Sequence, residues 1–363
     1  MTMARYRTLM ELLFSVAILF QGCESDVKCR DDNGKEVDWY IVYKYPSGED
    51  GLSYLYMDEN TNGWKVSKEA INSKSGTLAN TLKPLFDFYD RKTEGFGFML
   101  YNDQPPKLPK RQLSAAPASF GHSKGVIMLD KRTGVWLSHS TPKFPEYRNK
   151  DFWPNSGNIN AQTFMCVTYS YKTFKDIALQ LGYIHGYSYD YDIPKTFHQE
   201  LQSVAYRKGY PKRKPWYSVK TLTSMGGQTF SSYAKYGRFN DDLYSGLIVK
   251  SLRHNLYAKS WGKMKYPLPS TCTPYCVNNV KEIKLPKRKF FKSTQDHSKW
   301  CVTPDGNWTC IADMNRERSQ KKRGGGAICI ENFAVARAFN QIIKLCEPCK
   351  QAPTNSDAHS IEL

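Results

Sequence analysis

The chain has 363 residues, with 52 Lys and Arg against 34 Asp and Glu and a formal net charge of +18. That length gives ample core for one large domain or two medium ones. Beyond the N-terminus no stretch is long and apolar enough for a membrane span, which excludes a protein built on transmembrane helices. The basic surplus points to a polyanionic partner (nucleic acid, anionic lipid or sulfated glycan) or to a solvated surface that merely keeps the protein soluble.

Residues 1–25 read as a secretory signal: Arg5 and Arg7 are followed by an apolar run over 12–20 and by small Gly22 and Ser25. The alternation over 37–45 predicts a half-buried strand that ends at Pro46-Ser-Gly. Another apolar run covers 95–101. A hairpin follows, with strands over 125–129 and 135–140 and a turn over 130–134. A strand is expected over 162–171, a short helix over 174–181, a strand over 218–223 and a helix over 246–253. The helical spacing over 331–345 predicts a last helix that Pro348 prevents from continuing. Residues 350–363 are polar and expected to be disordered. Basic clusters stand at 107–111, 207–214, 281–292 and 316–323, and Tyr206, Tyr210 and Trp216 are interleaved with the second. Cation plus aromatic is the composition that tracks a nucleic-acid backbone and stacks its bases.

Ten cysteines fit an oxidising compartment. The competing use is a zinc site from Cys272, Cys276, Cys346 and Cys349. The one acceptable glycosylation sequon is at Asn307. A glycan there must point away from any cleft around His297.

His-Ser-Lys occurs twice, at His122–Lys124 and at His297–Lys299, 175 residues apart, and each Lys is followed at the same offset by an Asp, Asp130 or Asp305. Imidazole can attack phosphorus or donate a proton, and ammonium can hold the equatorial oxygens. Two such units around one phosphodiester supply a nucleophile and an acid with no metal. Ser140 and Asn315 each lie sixteen residues after a motif Lys, and a hairpin of that length should return them beside it. The reading is an α/β fold of two similar halves, 26–170 and 171–349, facing one central cleft.

Gly121-His-Ser-Lys-Gly-Val-Ile-Met-Leu-Asp130 with Trp136-Leu-Ser-His-Ser140 resembles deoxyribonuclease II. Asp296-His-Ser-Lys-Trp-Cys301, Trp308-Thr-Cys-Ile-Ala-Asp-Met-Asn-Arg316, Val37-Asp-Trp-Tyr-Ile-Val-Tyr-Lys44, Tyr101-Asn-Asp-Gln-Pro-Pro106, Asp241-Asp-Leu-Tyr-Ser-Gly246 and Arg323-Gly-Gly-Gly326 are similar to that family too. The resemblance runs from about Cys29 to Cys349. It implies a phospholipase D-like fold and a lysosomal acid endonuclease that needs no divalent metal or other cofactor and leaves 3′-phosphate ends. The implied site is His122, Lys124, His297, Lys299 and Asn315, with His122 as nucleophile and His297 as acid. DNA is the implied partner, held mainly through its backbone, without membrane insertion and compatibly with a homodimer. The family pattern also implies disulfides Cys29–Cys166, Cys272–Cys349 and Cys310–Cys329. Cys276 and Cys346 would then make a further bridge, and Cys301 would stay unpaired.

The wider superfamily places its Asp five residues after the Lys, whereas this chain places it at six in both halves, which reads Asp130 and Asp305 as turn residues. Ser140 stands where the second half has Asn315, and His139 beside it suits a structural histidine as well as a functional one. A phospholipase D-type lipid enzyme and a non-catalytic polyanion-binding relative are the competing functions.

Overall fold

The computed structural model describes residues 26–48, 51–109, 115–287 and 290–349. The leader read at 1–25 and the polar tail at 350–363 lie outside these described residues. The fold is mixed α/β, built on two large sheets.

The strand Trp39–Lys44 shows what organises the first sheet. Trp39, Ile41 and Tyr43 enter one apolar core, while Tyr40 and Val42 enter another on the opposite face. A strand apolar on both faces needs cover on both. It is therefore wholly buried, not half-buried as the alternation suggests.

From edge to edge the first sheet runs Ser188–Asp192, Gly97–Asn102, Lys124–Leu129, Thr133–His139, Gln162–Ser170, Trp39–Lys44, Tyr54–Asp58 and Lys65–Val66, all antiparallel. The main path of the second runs Tyr217–Thr223, Thr229–Lys235, Gly325–Glu331, Trp308–Ala312, Trp300–Val302, Leu256–Lys259, Cys276–Ile283 and Thr271–Cys272. Its one parallel pairing joins Leu256–Lys259 to Cys276–Ile283.

One core joins the sheets. Ile127, Trp136 and Met165 of the first and Phe230, Trp300 and Ile328 of the second belong to the same buried cluster. The helices Phe174–Ile184 and Phe333–Ile342 add Ile177, Leu181, Val335 and Phe339 to it. The helix Thr77–Asp90 covers the outer face of the first sheet through Leu78, Leu82, Leu85 and Phe88, a stripe at helical spacing that persists past Pro84. Leu243, Leu247 and Ile248 cover the outer face of the second sheet. There the helix expected over 246–253 is a π-helical turn, Tyr244–Ile248, followed by the short α-helix Val249–Leu252.

The last helix differs from expectation at its C-terminal end. Asn332 caps its start by accepting from Val335 N, but Pro348 does not end it. The chain leaves the helix after Ile342 because Ile343–Cys346 pairs as a strand with Cys276–Ile283.

Disulfides join Cys29 to Cys166 and Cys310 to Cys329. The Cys272 sulfur lies beside those of both Cys276 and Cys349, three sulfurs that share room for one bridge. The further bridge expected between Cys276 and Cys346 does not form. Cys346 pairs in register with Val280, four residues along the strand from Cys276. That is about 13 Å, well beyond disulfide reach. Cys301 and Cys346 are free thiols. Of the four cysteines in the zinc alternative, three converge and Cys346 stands apart.

Four strands recur in the same order in the two sheets. Gly97–Asn102, Lys124–Leu129, Thr133–His139 and Gln162–Ser170 match Leu256–Lys259, Trp300–Val302, Trp308–Ala312 and Gly325–Glu331. In the core between the sheets the Trp136 indole donates to the Tyr101 hydroxyl at 2.9 Å within the first sheet, and the Trp300 indole donates across to the Tyr43 hydroxyl at 3.2 Å.

Close approach at Gly121 holds this pairing together. Its N–H donates to His185 O, and a β-carbon there would run into the carbonyl oxygens of Ile184 and Gly324. Gly121→Ala should therefore lower the unfolding free energy by about 1–3 kcal/mol, the usual cost of overpacking. Urea unfolding measures it, and a variant as stable as the parent would show that the backbone there yields freely.

Candidate active site

Each His-Ser-Lys lies at the start of a strand in its own sheet, yet its histidine is held by the other sheet's chain. His122 N–H donates to Gly324 O, just before the strand Gly325–Glu331. His297 N–H donates to Ala161 O, just before the strand Gln162–Ser170. Both bonds are 2.9 Å long, and the two accepting residues occupy matching places in the repeated four-strand order. Arg323 strengthens the first clamp by donating to Phe120 O and Gly121 O.

The side chains converge accordingly. His122 Nδ1–H donates to the Asp313 carbonyl at 2.8 Å. That bond selects the tautomer whose Nε2 carries the lone pair. Lys124 is buried and ion-paired with the equally buried Asp103, which Arg323 also reaches at 3.3 Å. His297 packs edge-on against Trp261, with ring centroids 4.4 Å apart. Its buried Nε2 has no hydrogen-bond partner among the described residues, an arrangement that calls for a ligand.

Burial and the shared positive charge set the titrations. Burial, with Lys124, Lys299 and Arg323, pushes the His122 imidazole down to about 3 despite Asp103. Burial, then Lys299, Lys259 and Lys124, holds His297 far below the usual imidazole range. Burial and Lys124 push the Lys299 ammonium down to about 7. Burial works against ionisation of Asp103, but Lys124, His122 and Arg323 outweigh it and hold its carboxyl well below the ordinary range. Each histidine thus feels the lysine of the opposite half.

The equal spacing of Ser140 and Asn315 from the two lysines does not give them equal positions. Gly125 faces Ser138 across the first hairpin, whereas Trp300 faces Ile311 across the second. The first hairpin is therefore two residues longer, and by register Ser140 corresponds to Asp313. Ser140 donates to Gln162 Oε1 at 2.6 Å, a structural bond. Asn315 is buried, and its Oδ1 accepts from Trp261 N, so it reaches His297 through the indole. His139 is buried between Phe144 and Phe164 and accepts from Thr141 N.

Asp130 accepts the N–H groups of Arg132 and Thr133 and closes the first hairpin turn. Asp305 lies exposed in the second turn, 3.8 Å from His254. Asn307 is exposed in that same turn, at the far end of the hairpin from His297. Nor is the cluster 316–323 simply a surface patch: Arg316 is buried against Asp242 at 2.9 Å and Arg323 faces Asp103.

Asp103, Asp313, Arg323, Trp261 and the Lys259–Asp296 pair also belong to this site. Lys259 and Asp296 are fully buried, 3.0 Å apart, and Asp296 directly precedes His297. Tyr101-Asn-Asp-Gln-Pro-Pro106 and Arg323-Gly-Gly-Gly326 carried a signal as family-like segments. The contacts of Arg323 with Asp103 and Gly121 had none, because they join chain segments about 200 residues apart, whereas Asp103 meets Lys124 across one strand pair.

Two imidazoles and two ammonium groups, mutually enclosed by a repeated α/β arrangement, define a site suited to phosphoryl transfer. The family model for deoxyribonuclease II matches residues 28–349, and the chain belongs to that family. It is 40% identical over 351 residues to deoxyribonuclease-2-alpha of Rattus norvegicus, covering 93% of this chain and 98% of that protein. It is 35% identical over 354 residues to deoxyribonuclease-2-beta of Homo sapiens, covering 93% and 97%. Plancitoxin-1 of Acanthaster planci is 36% identical over 343 residues, covering 90% and 94%. Membership places the chain among hydrolases that act on DNA.

Asp313 gives the site a measurable pH signature. Burial pushes its carboxyl from 3.8 up to about 7. A carboxyl raised on folding contributes stability that is present below its unfolded pKa and lost as pH rises through the folded value. Wild type should therefore lose stability relative to Asp313→Asn between about pH 4 and about pH 7. Urea unfolding across that range isolates the group as the difference between the two proteins, and parallel curves would place its titration elsewhere.

Proposed function

We propose that this chain is an acid endodeoxyribonuclease that cleaves DNA without a divalent metal, through a phosphohistidine, and leaves 3′-phosphate ends. The observation that carries this reading is the asymmetry of the two imidazoles: Asp313 O holds His122 Nδ1–H and leaves Nε2 as a lone pair, while His297 Nε2 is buried without a partner among the described residues.

In the first step His122 Nε2 attacks phosphorus, the bond to O5′ breaks, and His297 as imidazolium gives its proton to that oxygen. The 3′-phosphoryl group then rests on His122. In the second step His297 takes a proton from water, the water oxygen attacks phosphorus, and the P–N bond breaks. Lys124, Lys299 and Asn315 hold the non-bridging oxygens as charge shifts onto them. The repeated four-strand order supports a phospholipase D-like reading in which two halves, drawn at 26–170 and 171–349, each contribute one His-x-Lys, although Ser188–Asp192 returns to the first sheet.

The pH dependence follows by sign. His122 must be neutral to attack, and at about 3 it stays so through the acid range. His297 must be protonated, which falling pH and a bound phosphodiester both favour. Lys299 carries its charge below about 7 and loses it above. As pH falls His122 stays neutral, Lys299 gains its charge and His297 moves toward protonation, a direction that suits an enzyme that enters the secretory pathway and works in lysosomes. The disulfides fit that route.

Plasmid DNA should be nicked in EDTA at about pH 5, with activity falling steeply as pH rises past about 7. His122→Ala and His297→Ala should each lower the rate by about 10²–10⁴-fold or more. Abolition by EDTA, 5′-phosphate ends or retained activity in either variant would overturn the mechanism. Hydrolysis of phosphatidylcholine with intact plasmid would instead favour a lipid phosphodiesterase.

A further inference from the structure

We propose that the indole N–H of Trp261 is a catalytic hydrogen-bond donor, which holds a phosphoryl oxygen of the scissile diester beside His297 as negative charge grows on it. The inference rests on the nuclease reading above and adds a residue to its machinery.

Trp261 lies two residues beyond the strand Leu256–Lys259. Its ring meets that of His297 edge to face, with centroids 4.4 Å apart and planes at 73°. Its Nε1 is buried and has no hydrogen-bond partner among the described residues. Other indoles find acceptors within the protein. Trp64 donates to Ala338 O, Trp136 to the Tyr101 hydroxyl, Trp153 to Asn158 Oδ1 and Trp300 to the Tyr43 hydroxyl. A buried N–H left without an acceptor is unfavourable, and where no protein group serves it a ligand or an ordered water does. His297 Nε2 is buried without a partner in the same way. Two such nitrogens on rings in contact mark one place for one polar ligand.

The chemistry of indole narrows that ligand. Nε1–H donates and never accepts, and it does not titrate, so it is neither acid nor base. Its use is to hold an oxygen that gains electron density. In the first step of the proposed reaction the phosphoryl oxygens do so while His297 releases its proton to O5′. Lys124 and Lys299 supply charge to those oxygens, and the indole adds a neutral bond of fixed direction.

The chain around Trp261 is pinned on both sides of the ring. Its backbone N–H donates to Asn315 Oδ1 at 3.1 Å. The next N–H, of Gly262, donates to Ser293 O at 3.0 Å, and a β-carbon on Gly262 would run into Ser293 Oγ. Asn315 is itself held, its N–H donating to Gln320 Oε1 at 2.7 Å. A donor fixed before substrate arrives needs no rearrangement during reaction, the condition under which it favours the transition state. The bond to Trp261 also occupies the Asn315 oxygen, so Asn315 offers its amide N–H groups to the diester alongside the indole.

The first test compares full-length wild type and Trp261→Phe in plasmid nicking with EDTA, from about pH 4 to about pH 7. Phe keeps a ring against His297 and removes the N–H. The variant should lose about 10²-fold in kcat, with KM within about threefold and the pH profile in place. A profile displaced along the pH axis, with kcat regained at its new optimum, would show that the ring acts only through His297 and overturn the donor. Unchanged kcat, whatever happens to KM, would overturn it too. The second test follows the indole N–H resonances of 15N-labelled wild type at about pH 5 during titration with inorganic phosphate. The Trp261 signal is the one missing from the variant. It should move downfield as phosphate binds, whereas a signal that stays put means that water or the imidazole face satisfies the N–H, and the donor falls. Thermal melts report folding. If Trp261→Phe misfolds, Trp261→3-benzothienylalanine, with sulfur in place of N–H, takes its part in both tests. Wild type that cuts no DNA but shows the phosphate shift would sink the nuclease reading and leave the phosphate-holding indole standing.

Discussion

Everything in the site depends on two backbone hydrogen bonds that cross between the sheets. Gly324 O holds His122, and Ala161 O holds His297. Neither sheet can place its own histidine alone, since the accepting carbonyl in each case belongs to the other. The two accepting residues precede matching strands, so one local solution is used twice in opposite directions. The shared core between the sheets makes this mutual hold rigid, because interiors packed at crystal-like density transmit displacement rather than absorb it.

The same enclosure produces the electrostatics. Lys124, Lys299 and Lys259 are all buried near the two histidines, and Asp103 and Asp296 are the carboxylates paired with two of them. Burial disfavours the charged form and the gathered cations add to it, which is why both imidazoles are driven down and Lys299 loses affinity for its own proton. A phosphodiester is the natural counter-charge for such a site. On the proposed function a bound phosphodiester would relieve the cost of gathering these cations and shift their coupled titrations.

Much of the local structure was legible from the residues. The hairpin after His122 follows from Gly125 and the alternation to Leu129 and back, and Asp130 does serve its turn. The start of the helix at Phe174 was legible for the same reason, a local apolar period. What misled was counting. Sixteen residues after each Lys named Ser140 and Asn315 as equivalents, but hairpin length belongs to strand and turn together, and the register pairs Ser140 with Asp313. Pro348 looked like the stop of the last helix, yet pairing of Ile343–Cys346 intervened first.

By itself the sequence determined the chemistry available: two His-x-Lys units, an excess of cations, and family-like segments along nearly the whole chain. Those are properties of residue types and their spacing, and they hold whatever the fold. Only the tertiary structure decided that Asp103 neutralises Lys124, that Asp313 selects the tautomer of His122, and that Asn315 accepts from the backbone of Trp261, whose indole packs on His297. The His122 bond joins segments 191 residues apart and the Trp261 bond segments 54 apart, whereas Asp103 and Lys124 meet across one strand pair. Such contacts are settled by how two sheets pack on one core, for which no local period carries a signal.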